Sequence, residues 1–411
     1  MNVLVQKYGG SSVAGAERIR AVAERVARSR ASESGAEPSR GIVVVVSAMG
    51  DTTDELIQLA RSVTAEPDPR ELDLLLSTGE TVSATLLAMA LRALGCPAIS
   101  LTAGQVGIRT NRWYSRARIT AIHPERLQRE LDAGKIAIVT GFQGITDEAD
   151  ITTLGRGGSD TTAVALACAL GADRCEIYTD VQGIYTADPR LVPEAVCLSQ
   201  IAYEEMLELA VQGAKVMHPR AVELGQVYNM PIVVRSSFAD APGTVIGPGE
   251  SMEIRRRVQG IAHDTDVAKI SLAGVPDQPG IAHALFAPLA EAGVSVDVIV
   301  QTASFEGVTD MSFTVARGDL ERAVELVEPV AKDIRATKLA SAPDLAKVSI
   351  VGTGIQSAPG YAARMFGILS KAGINIDMIT TSDIRITCVV DRDDVVKAVR
   401  ALHAGFELDK E

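Results

Sequence analysis

The feature that most constrains the fold is a strand-length run that is apolar at every position. Residues 42–46 are Ile-Val-Val-Val-Val, and a strand of this kind has to be covered on both faces, as parallel strands usually are. Similar runs occur at 136–139, 175–178 and 232–234, and apolar residues at helical spacing lie between them, for example at 72–94. About the first 240 residues therefore predict an α/β domain with a mainly parallel sheet sandwiched by helices.

Turns rich in glycine and polar residues follow several of these predicted strands. They begin at Gly9, Ser47, Gly141 and Thr179. In open α/β sheets, ligands bind outside the carboxyl ends of the strands. We therefore expect a binding site at this edge of the sheet.

A further turn has an unusual composition. Segment 153–160 is Thr-Leu-Gly-Arg-Gly-Gly-Ser-Asp, and it leads into a predicted helix at 161–170. Glycines allow backbone N–H groups to approach a ligand closely, and a helix start adds unpaired N–H donors. Arg156 offers a guanidinium fork to a carboxylate or a phosphate. The segment predicts an anion site, and a plain flexible turn is the alternative interpretation.

The charge balance narrows the class of ligand. The 411 residues carry a net charge of −12, which argues against a nucleic-acid surface because such a surface needs a basic face. Anionic small ligands would need a few cations concentrated in one place. No GxxxxGK[ST] motif is present and no GxGxxG follows the first strand, so a phosphate site would belong to another lineage. The cations beside glycines or turn residues are Lys7, Arg156, Arg190 and Lys215.

The sequence shows no pattern typical of a zinc site, a membrane helix, a signal peptide or a disulfide framework. The histidines show no zinc-ligand spacing, and no metal site is predicted. No apolar run approaches the span of a membrane helix, and the chain begins in a strand pattern without a signal-peptide pattern, so we expect a cytoplasmic protein. Isolated cysteines predict reduced core residues and not a disulfide framework; they are Cys96, Cys168, Cys175, Cys197 and Cys388.

The last third of the chain contains an internal repeat. Pro279-Gly280 and Ser295-Val296-Asp297 recur 80 residues later as Pro359-Gly360 and Asn375-Ile376-Asp377. Each copy is predicted as strand, Pro-Gly turn, helix, strand, strand, helix and strand, which is the ferredoxin-like βαββαβ order. A unit of about 70 residues is small for an independent core, so the two copies should pack together or dimerise.

Seven motifs occur in order along the chain, at 7–12, 47–50, 77–80, 105–108, 153–160, 179–190 and 213–220. Together with the repeat, they resemble the aspartate kinases, which are members of the amino acid kinase superfamily with C-terminal ACT domains. The resemblance covers essentially the whole chain. It implies an amino-acid-kinase fold at residues 1–245, a linker at 246–264, and ferredoxin-like βαββαβ ACT domains at 265–340 and 341–411.

The resemblance also implies an activity. Aspartate kinases transfer the γ-phosphoryl group of ATP to the side-chain carboxylate of L-aspartate and form 4-phospho-L-aspartate, the first step towards diaminopimelate, lysine, threonine and methionine. ATP with Mg²⁺ is the implied cofactor. A carboxylate nucleophile has no proton to remove, so catalysis should consist mostly of positioning and charge neutralisation.

Site residues follow from the matched motifs. By this resemblance Lys7 stabilises the transferred phosphoryl group and Asp160 organises the lysine and the glycine turn. Arg156 would hold a carboxylate of the substrate, and Glu80 would meet its ammonium group. The implied substrate-binding residues are Ser47, Thr53, Glu80, Arg156, Gly157, Gly158 and Ser159. The implied ATP-binding residues are Lys7, Tyr8, Gly9, Gly10, Thr179, Asp180, Tyr185, Arg190 and Lys215.

These roles have structural alternatives. Lys7 and Lys215 could be surface lysines, Glu80 could be a solvated helix residue, and Ser159 and Asp160 could simply cap the helix that follows them. Gln182 stands where many relatives have an acidic residue.

The repeats resemble ACT domains, which sense amino acids, and an assembly role without sensing is the alternative. The resemblance implies inhibition by threonine, lysine or both, with a movable joint at 241–257 between the catalytic and sensing regions. It also implies a homo-oligomer, or an α2β2 assembly whose smaller subunit starts internally near Met252. The implied effector-binding residues are Asp277, Gln278, Gly280, Ser295, Asp297, Gln301, Ile355, Asn375, Ile376, Ser382 and Asp383.

Two other functions remain open from the sequence. One is a kinase for another small carboxylate, such as acetylglutamate. The other is a catalytically silent amino-acid sensor that retained the kinase fold. Loss of Lys7 or Asp160 would favour the silent sensor, and both residues are present.

Overall fold

The computed structural model describes residues 2–31, 41–249, 257–304, 306–356 and 358–410. The chain forms two compact units. The first comprises Met1–Tyr185, Cys197–Val211 and Lys215–Glu253, and the second comprises Thr186–Val196, Gln212–Ala214 and Ile254–Glu411. Two short segments that precede residue 245 thus pack with the second unit. The middle of the predicted linker, 250–256, lies outside the described residues, and so does Met252.

The first unit is built on two sheets. Its strands are β1 (Val3–Tyr8), β2 (Gly41–Val46), β3 (Ala98–Leu101), β4 (Ile108–Thr110), β5 (Ile119–Ile122), β6 (Ile136–Thr140), β7 (Gln143–Ile145), β8 (Ile151–Thr153), β9 (Arg174–Thr179), β10 (Gln200–Ala202), β11 (Ile232–Ser236) and β12 (Thr244–Gly247). The larger sheet has the order β10-β12-β11-β9-β1-β2-β6-β3, and the smaller has the order β5-β4-β7-β8.

The larger sheet is parallel at every neighbouring pair except β11 with β12. β2 is buried at every residue, as the apolar run at 42–46 predicts. A strand that is apolar throughout gains burial on both faces, which only a sheet covered on both sides provides. The prediction of an α/β fold with a mainly parallel sheet is therefore confirmed.

Helices of the first unit connect and cover these strands. A 3-10 helix at Gly10–Val13 follows β1. The helices at Ala16–Ala31 and Pro69–Ala93 share a buried apolar cluster with β2 and β6. The helices are α1 (Ala16–Ala31), α2 (Thr52–Val63), α3 (Pro69–Ala93), α4 (Glu125–Asp132), α5 (Gly158–Leu170), α6 (Tyr203–Val211) and α7 (Pro219–Val227).

α3 is the longest helix of the first unit. Asp68 caps it by accepting hydrogen bonds from the N–H groups of Arg70 and Glu71. By length and composition alone α3 could cross a membrane, with a mean hydropathy of 1.5, and half of its most apolar window is buried inside the protein. The expectation that no apolar stretch approaches that span was therefore wrong for this helix. Its buried face carries the carboxyl groups of Asp73 and Glu80, which is typical of a core helix that serves a polar site.

The second unit contains one six-stranded sheet in the order β14-β15-β13-β16-β18-β17, antiparallel throughout. Short 3-10 helices occur at Arg317–Asp319 and Arg392–Asp394. Its strands are β13 (Gly260–Pro276), β14 (Val296–Gln301), β15 (Val308–Val315), β16 (Lys338–Val351), β17 (Met378–Ser382) and β18 (Arg385–Asp391), and its helices are α8 (Ile281–Glu291), α9 (Leu320–Asp333), α10 (Tyr361–Lys371) and α11 (Val395–Gly405).

The two copies of the repeat share their central strands. The first half of β13, at 260–264, pairs with the second half of β16, and the second half of β13 pairs with the first half of β16. The first copy has the full βαββαβ order. In the second copy, the position of the last strand is filled by residues 260–264, which precede the first copy in the chain. The copies therefore pack together within one chain, one of the two arrangements that the small size of the repeat predicts.

Salt bridges join the two copies reciprocally. Lys269 pairs with Asp377, with 2.6 Å between Nζ and Oδ2. Lys347, the counterpart of Lys269, pairs with Asp297, the counterpart of Asp377, and its Nζ also lies 3.6 Å from Asp264 Oδ2. All five cysteines are free. Cys175 and Cys388 are buried, as predicted for core residues, whereas Cys96, Cys168 and Cys197 are only half-buried.

Candidate active site

Four neighbouring strands of the larger sheet end at one edge. β9, β1, β2 and β6 lie side by side and run parallel. The turns that follow them begin with Asp180, Gly9, Ser47 and Gly141, and Thr179 is the last residue of β9. The structure thus brings together the strand-end turns that the sequence singles out.

Lys7 and Asp160 form the central ion pair at this edge. Lys7 Nζ lies 2.7 Å from Asp160 Oδ1, and the side chains are only 12% and 11% exposed. Lys7 stands near the end of β1, and Asp160 lies in the first turn of α5. A Cβ at Gly9 would come 3.4 Å from Lys7 Nζ, so the glycine keeps the turn close to the ammonium group. This burial does not fit a strand-end surface lysine.

Ser47 and Ser159 connect the turn after β2 with the start of α5. Ser47 Oγ donates to Ser159 Oγ at 2.9 Å. A Cβ at Gly141 would come 2.6 Å from Ser159 Oγ, which explains why a glycine follows β6. The cap residue of α5 is Gly157, and no side chain makes a capping hydrogen bond there. Ser159 and Asp160 are therefore not the helix caps that the alternative interpretation proposes.

Glu80 is a buried carboxyl group with an unused oxygen. Its Oε1 accepts a hydrogen bond from Ala48 N at 3.0 Å, and its Oε2 has no hydrogen-bond partner among the described residues. Gln143 lies nearby, and its Nε2 donates to Ser77 O at 2.7 Å. The residue is 3% exposed, and desolvation by burial raises the pKa of Glu80 to about 7. A buried oxygen without a partner points to a ligand donor.

Arg156 lies at the tip of a turn whose backbone requires glycine. Gly155 and Gly157 have φ angles of 77° and 70°, and a Cβ at Gly157 would come 2.2 Å from His218 Cγ. The Arg156 side chain is exposed. Thr53, another predicted substrate residue, is half-buried in the first turn of α2, and Gly158 is buried.

The residues predicted for the nucleotide differ in how accessible they are. The ring of Tyr8 is fully buried and stacks on Tyr178 with 4.7 Å between centroids, so only its backbone is available to a ligand. Thr179 Oγ1 donates to Asp180 Oδ1 at 3.0 Å, Tyr185 is half-buried, and Lys215 is exposed.

Arg190 is placed differently from the other predicted nucleotide residues. It belongs to the second unit, where its Nη2 lies 2.8 Å from Asp188 Oδ2. The structure therefore does not group it with the residues of the first unit.

Sequence reasoning missed Asp73, which is fully buried in α3. Its carboxylate accepts hydrogen bonds from Ser115 and from Thr153, the first residue of segment 153–160. A signal was present, because Asp73 precedes Glu80 by seven residues, which is two helical turns. An acidic residue at that spacing shares the buried face of the helix.

The predicted effector residues lie on corresponding elements of the two repeat copies. Asp297 carries the salt bridge to Lys347, and Ser382 Oγ is buried without a hydrogen-bond partner among the described residues. Ile355 lies in the apolar core of the second copy, so only its backbone could meet a ligand, and Ile376 packs against the same core. The exposed members of the set are Asp277, Gln278, Gly280, Ser295, Asp297, Gln301, Asn375 and Asp383.

Comparison with known proteins assigns the family. The sequence matches the Amino acid kinase family over residues 2–236 and the ACT domain over 270–329 and 348–406. The aspartokinase of Thermus thermophilus is 49% identical over 412 residues, which cover 100% of both chains. The chain belongs to the aspartokinase family.

Solved structures of an aspartokinase share the architecture. E. coli aspartokinase III in complex with aspartate and ADP, an R-state, has a TM-score of 0.83 and 27% identity, and the match covers 98% of this chain and 99% of that one. The same enzyme in complex with lysine and aspartate, a T-state, has a TM-score of 0.74 and 27% identity at the same coverage.

Family membership establishes the activity. The enzyme is an aspartate kinase, a phosphotransferase that uses a nucleotide, has a carboxyl group as acceptor, and serves amino-acid biosynthesis. The family and the fold inferred from the motifs are thus confirmed, and neither an acetylglutamate kinase nor a silent sensor is supported. The described residues contain no group of three or more His, Cys, Asp or Glu that could hold a metal ion.

Proposed function

We propose that this aspartate kinase transfers the γ-phosphoryl group of ATP to the side-chain carboxylate of L-aspartate and forms 4-phospho-L-aspartate. The observation that carries the proposal is the nearly buried ion pair of Lys7 with Asp160, 2.7 Å apart at the carboxyl end of β1. An ammonium group held in this way can neutralise charge on a transferring phosphoryl group without reorganising. Because the attacking carboxylate carries no proton, no side chain has to act as a base.

The phosphates of ATP would lie at the turn after β1. Gly9 and Gly10 would donate backbone N–H groups to them, and a side chain at Gly10 would come 2.8 Å from Ala48 O. Mg²⁺ would arrive with the nucleotide as part of the substrate, because this ion is typically held by phosphates and water with few protein carboxylates. The remaining proposed nucleotide contacts are Lys7, Tyr8 through its backbone, Thr179, Asp180, Tyr185 and Lys215, all of which belong to the first unit.

Aspartate would bind between α3 and segment 153–160. The unpaired Glu80 Oε2 would accept the ammonium group of the substrate, and Arg156 would hold its α-carboxylate through the guanidinium fork. The other proposed substrate contacts are Ser47, Thr53, Gly157, Gly158 and Ser159.

The test couples two readouts on the full-length enzyme. ADP release would be measured over a panel of amino acids and acetylglutamate, and the product would be trapped with hydroxylamine, which converts an acyl phosphate to a hydroxamate. We expect ADP release and hydroxamate in equal amounts with aspartate. ADP release without hydroxamate would contradict phosphoryl transfer to a carboxylate.

We propose in addition that the ACT repeats bind threonine, lysine or both and inhibit the kinase. In support, Thr186–Val196 continues directly from Tyr185 and packs with the second repeat copy. Ala187 and Val192 lie in the core of that copy, and Thr186 Oγ1 lies 3.0 Å from His403 Nε2. An effector that favours one arrangement of this copy would act on the chain next to the proposed nucleotide site.

The regulatory proposal is tested by adding threonine and lysine separately and together to the ADP assay. Asp297→Asn should weaken the inhibition, because it removes the charge proposed to meet the effector's ammonium group, while the uninhibited rate stays the same. Unchanged inhibition would remove Asp297 from the effector site. The other proposed effector contacts are Asp277, Gln278, Gly280, Ser295, Gln301, Ile355, Asn375, Ile376, Ser382 and Asp383.

The cellular setting and the assembly complete the proposal. We place the enzyme in the cytoplasm, at the first step of lysine, threonine and methionine biosynthesis. Its assembly would be a homo-oligomer or an α2β2 form with a smaller subunit from an internal start. Expression of the gene with Met252 replaced, followed by analysis of the purified subunits, distinguishes the two assemblies.

A further inference from the structure

Asp73 is a buried charge that the reaction itself does not use. It is fully buried in α3, and its hydrogen-bond partners among the described residues are all donors. Ser115 N lies 3.0 Å from Oδ1 and 2.9 Å from Oδ2. Thr153 N donates to Oδ2 at 2.8 Å, and Thr153 Oγ1 donates to Oδ1 at 2.7 Å. A carboxylate is the side chain that can accept all of these bonds at once.

These bonds anchor Thr153 and Ser115, which lie next to the turn that carries Arg156. Thr153 is the first residue of segment 153–160. Ser115 has a left-handed backbone with φ of 65°, and its carbonyl oxygen lies 3.0 Å from the position of a Cβ on Gly155. A non-glycine residue in this region of backbone space is held there by its surroundings. Asp73 therefore fixes the backbone of Thr153, two residues before Gly155, and of Ser115, which packs against Gly155.

Arg220 binds the same two chain segments, those of Leu154 and Ala117, through their backbone carbonyl groups. Its Nη1 donates to Leu154 O at 2.8 Å, and its Nη2 donates to Ala117 O at 3.1 Å. Ala117 N in turn donates to Thr153 O at 2.8 Å. Asp73 thus binds backbone N–H groups of Thr153 and Ser115, and Arg220 binds backbone carbonyl groups of Leu154 and Ala117. These bonds restrict the backbone just before Arg156.

α3 links this turn to the proposed ammonium site. Asp73 and Glu80 are seven residues apart on one buried helix face, which corresponds to two turns of a rigid helix. Arg156 and Glu80 are the groups proposed to bind the carboxylate and the ammonium of aspartate. The spacing between them then depends on how firmly Asp73 ties the turn to the helix.

We propose that Asp73 is a positioning residue for aspartate, which sets the distance between the Arg156 turn and Glu80. The inference rests on the proposed function of those two groups. It concerns the substrate side alone, so the nucleotide side should not respond. Small displacements of binding groups are sufficient to cost an enzyme up to about 100-fold in efficiency.

The first test is Asp73→Asn in the full-length enzyme. An asparagine places an NH₂ donor against one of the N–H or O–H donors, so the tie between helix and turn is broken on one side. We expect the KM for aspartate to rise by about tenfold and the KM for ATP to change by less than about twofold. Glu71→Gln is the matched control, because Glu71 is an exposed carboxylate on the same helix, and it should leave both constants unchanged.

A second measurement separates positioning from general damage. In the Arg156→Ala background, Asp73→Asn should change the aspartate KM by less than about twofold, because the group that it positions is absent. An equal effect of Asp73→Asn in both backgrounds would overturn the proposal, and so would an equal rise in the KM for ATP. A wild-type enzyme that forms no hydroxamate with aspartate would instead refute the proposed function.

Thr153→Val keeps the inference testable when Asp73→Asn does not fold. It removes the hydroxyl bond to Asp73 and leaves the backbone bonds from Thr153 N and Ser115 N in place. We expect the aspartate KM to rise by about threefold, in the same direction as for Asp73→Asn and with ATP unaffected. An unchanged aspartate KM in Thr153→Val, when Asp73→Asn is not available, would overturn the proposal.

Discussion

The charged groups of the first unit's site and those of the second unit's sheet are paired in different ways. In the first unit, Lys7 and Asp160 are nearly buried, and one oxygen of Glu80 has no hydrogen-bond partner among the described residues. In the second unit, Lys269 pairs with Asp377 and Lys347 with Asp297 in a reciprocal pattern. The carboxyl group of Glu80 can still accept a donor from a ligand, whereas Asp377 and Asp297 of the second unit are already paired with lysines of the chain.

This difference in how the carboxyl groups are paired predicts how each site should respond to its ligand. A buried carboxyl oxygen without a partner costs stability, so a ligand that supplies an ammonium group to Glu80 Oε2 should gain affinity by satisfying that oxygen. Asp297 already contacts an ammonium group, that of Lys347, so an amino acid that uses this carboxylate has to compete with the lysine. The catalytic site should depend strongly on single charges, and the sensing site should be adjusted by small amounts.

The largest expected effect follows from removing the cation of the first unit. Lys7→Ala should lower kcat by at least about 100-fold, because a charge held in place for the transferring phosphoryl group is lost. Lys135→Ala is the control, since Lys135 also forms an ion pair, with Glu130, but at the amino end of β6 and away from the carboxyl ends of the strands. Steady-state kinetics and a circular dichroism spectrum would check the result. Near-normal turnover of Lys7→Ala would remove Lys7 from the mechanism.

Removing the guanidinium of Arg156 should have the next largest effect. Arg156→Ala should lower kcat/KM for aspartate by about 10- to 100-fold, because a bidentate contact to a carboxylate is lost. The constants for ATP should stay close to those of the wild type. Arg112→Ala, at another exposed arginine of the first unit, is the matched control. An effect confined to ATP would place Arg156 on the nucleotide side.

Much of the site could be predicted from the sequence because its parts are local. Each strand-end turn is a short motif, and the parallel order of β9, β1, β2 and β6 brings these motifs to one edge. Asp73 could not be found in this way. Its partners, Ser115 and Thr153, are distant in sequence and contribute mostly backbone N–H groups, which any residue type provides.

The fold shows a similar limit at the repeat. The shift of 80 residues predicts two equivalent copies, and the motifs within each copy support that. The repeat does not reveal that residues 260–264 supply the last strand of the second copy, because strand pairing depends on backbone register across the two copies. The same holds for Thr186–Val196, whose place in the second unit depends on the packing of Ala187 and Val192.

The pH dependence of aspartate binding tests the unpaired carboxyl group of the first unit. Burial raises the pKa of Glu80 to about 7, so the free enzyme loses the anionic form as the pH falls through that value. Aspartate needs the anion for its ammonium group, and its KM should therefore rise by about tenfold from pH 8 to pH 6. Glu80→Gln should raise the KM at pH 8 and remove most of this slope. An identical slope in Glu80→Gln would assign the titration to another group.

The smallest expected effect tests whether the second unit's charges compete with a ligand. Lys347→Met keeps the length of the side chain but leaves Asp297 without its internal partner. If the effector uses Asp297, the concentration of threonine or lysine that gives half-maximal inhibition should fall by about threefold, because a competing ammonium group is gone. Lys332→Met, at an exposed lysine on α9, should leave inhibition unchanged. Weaker inhibition in Lys347→Met alone would mean that the salt bridge builds the effector site and does not compete for it.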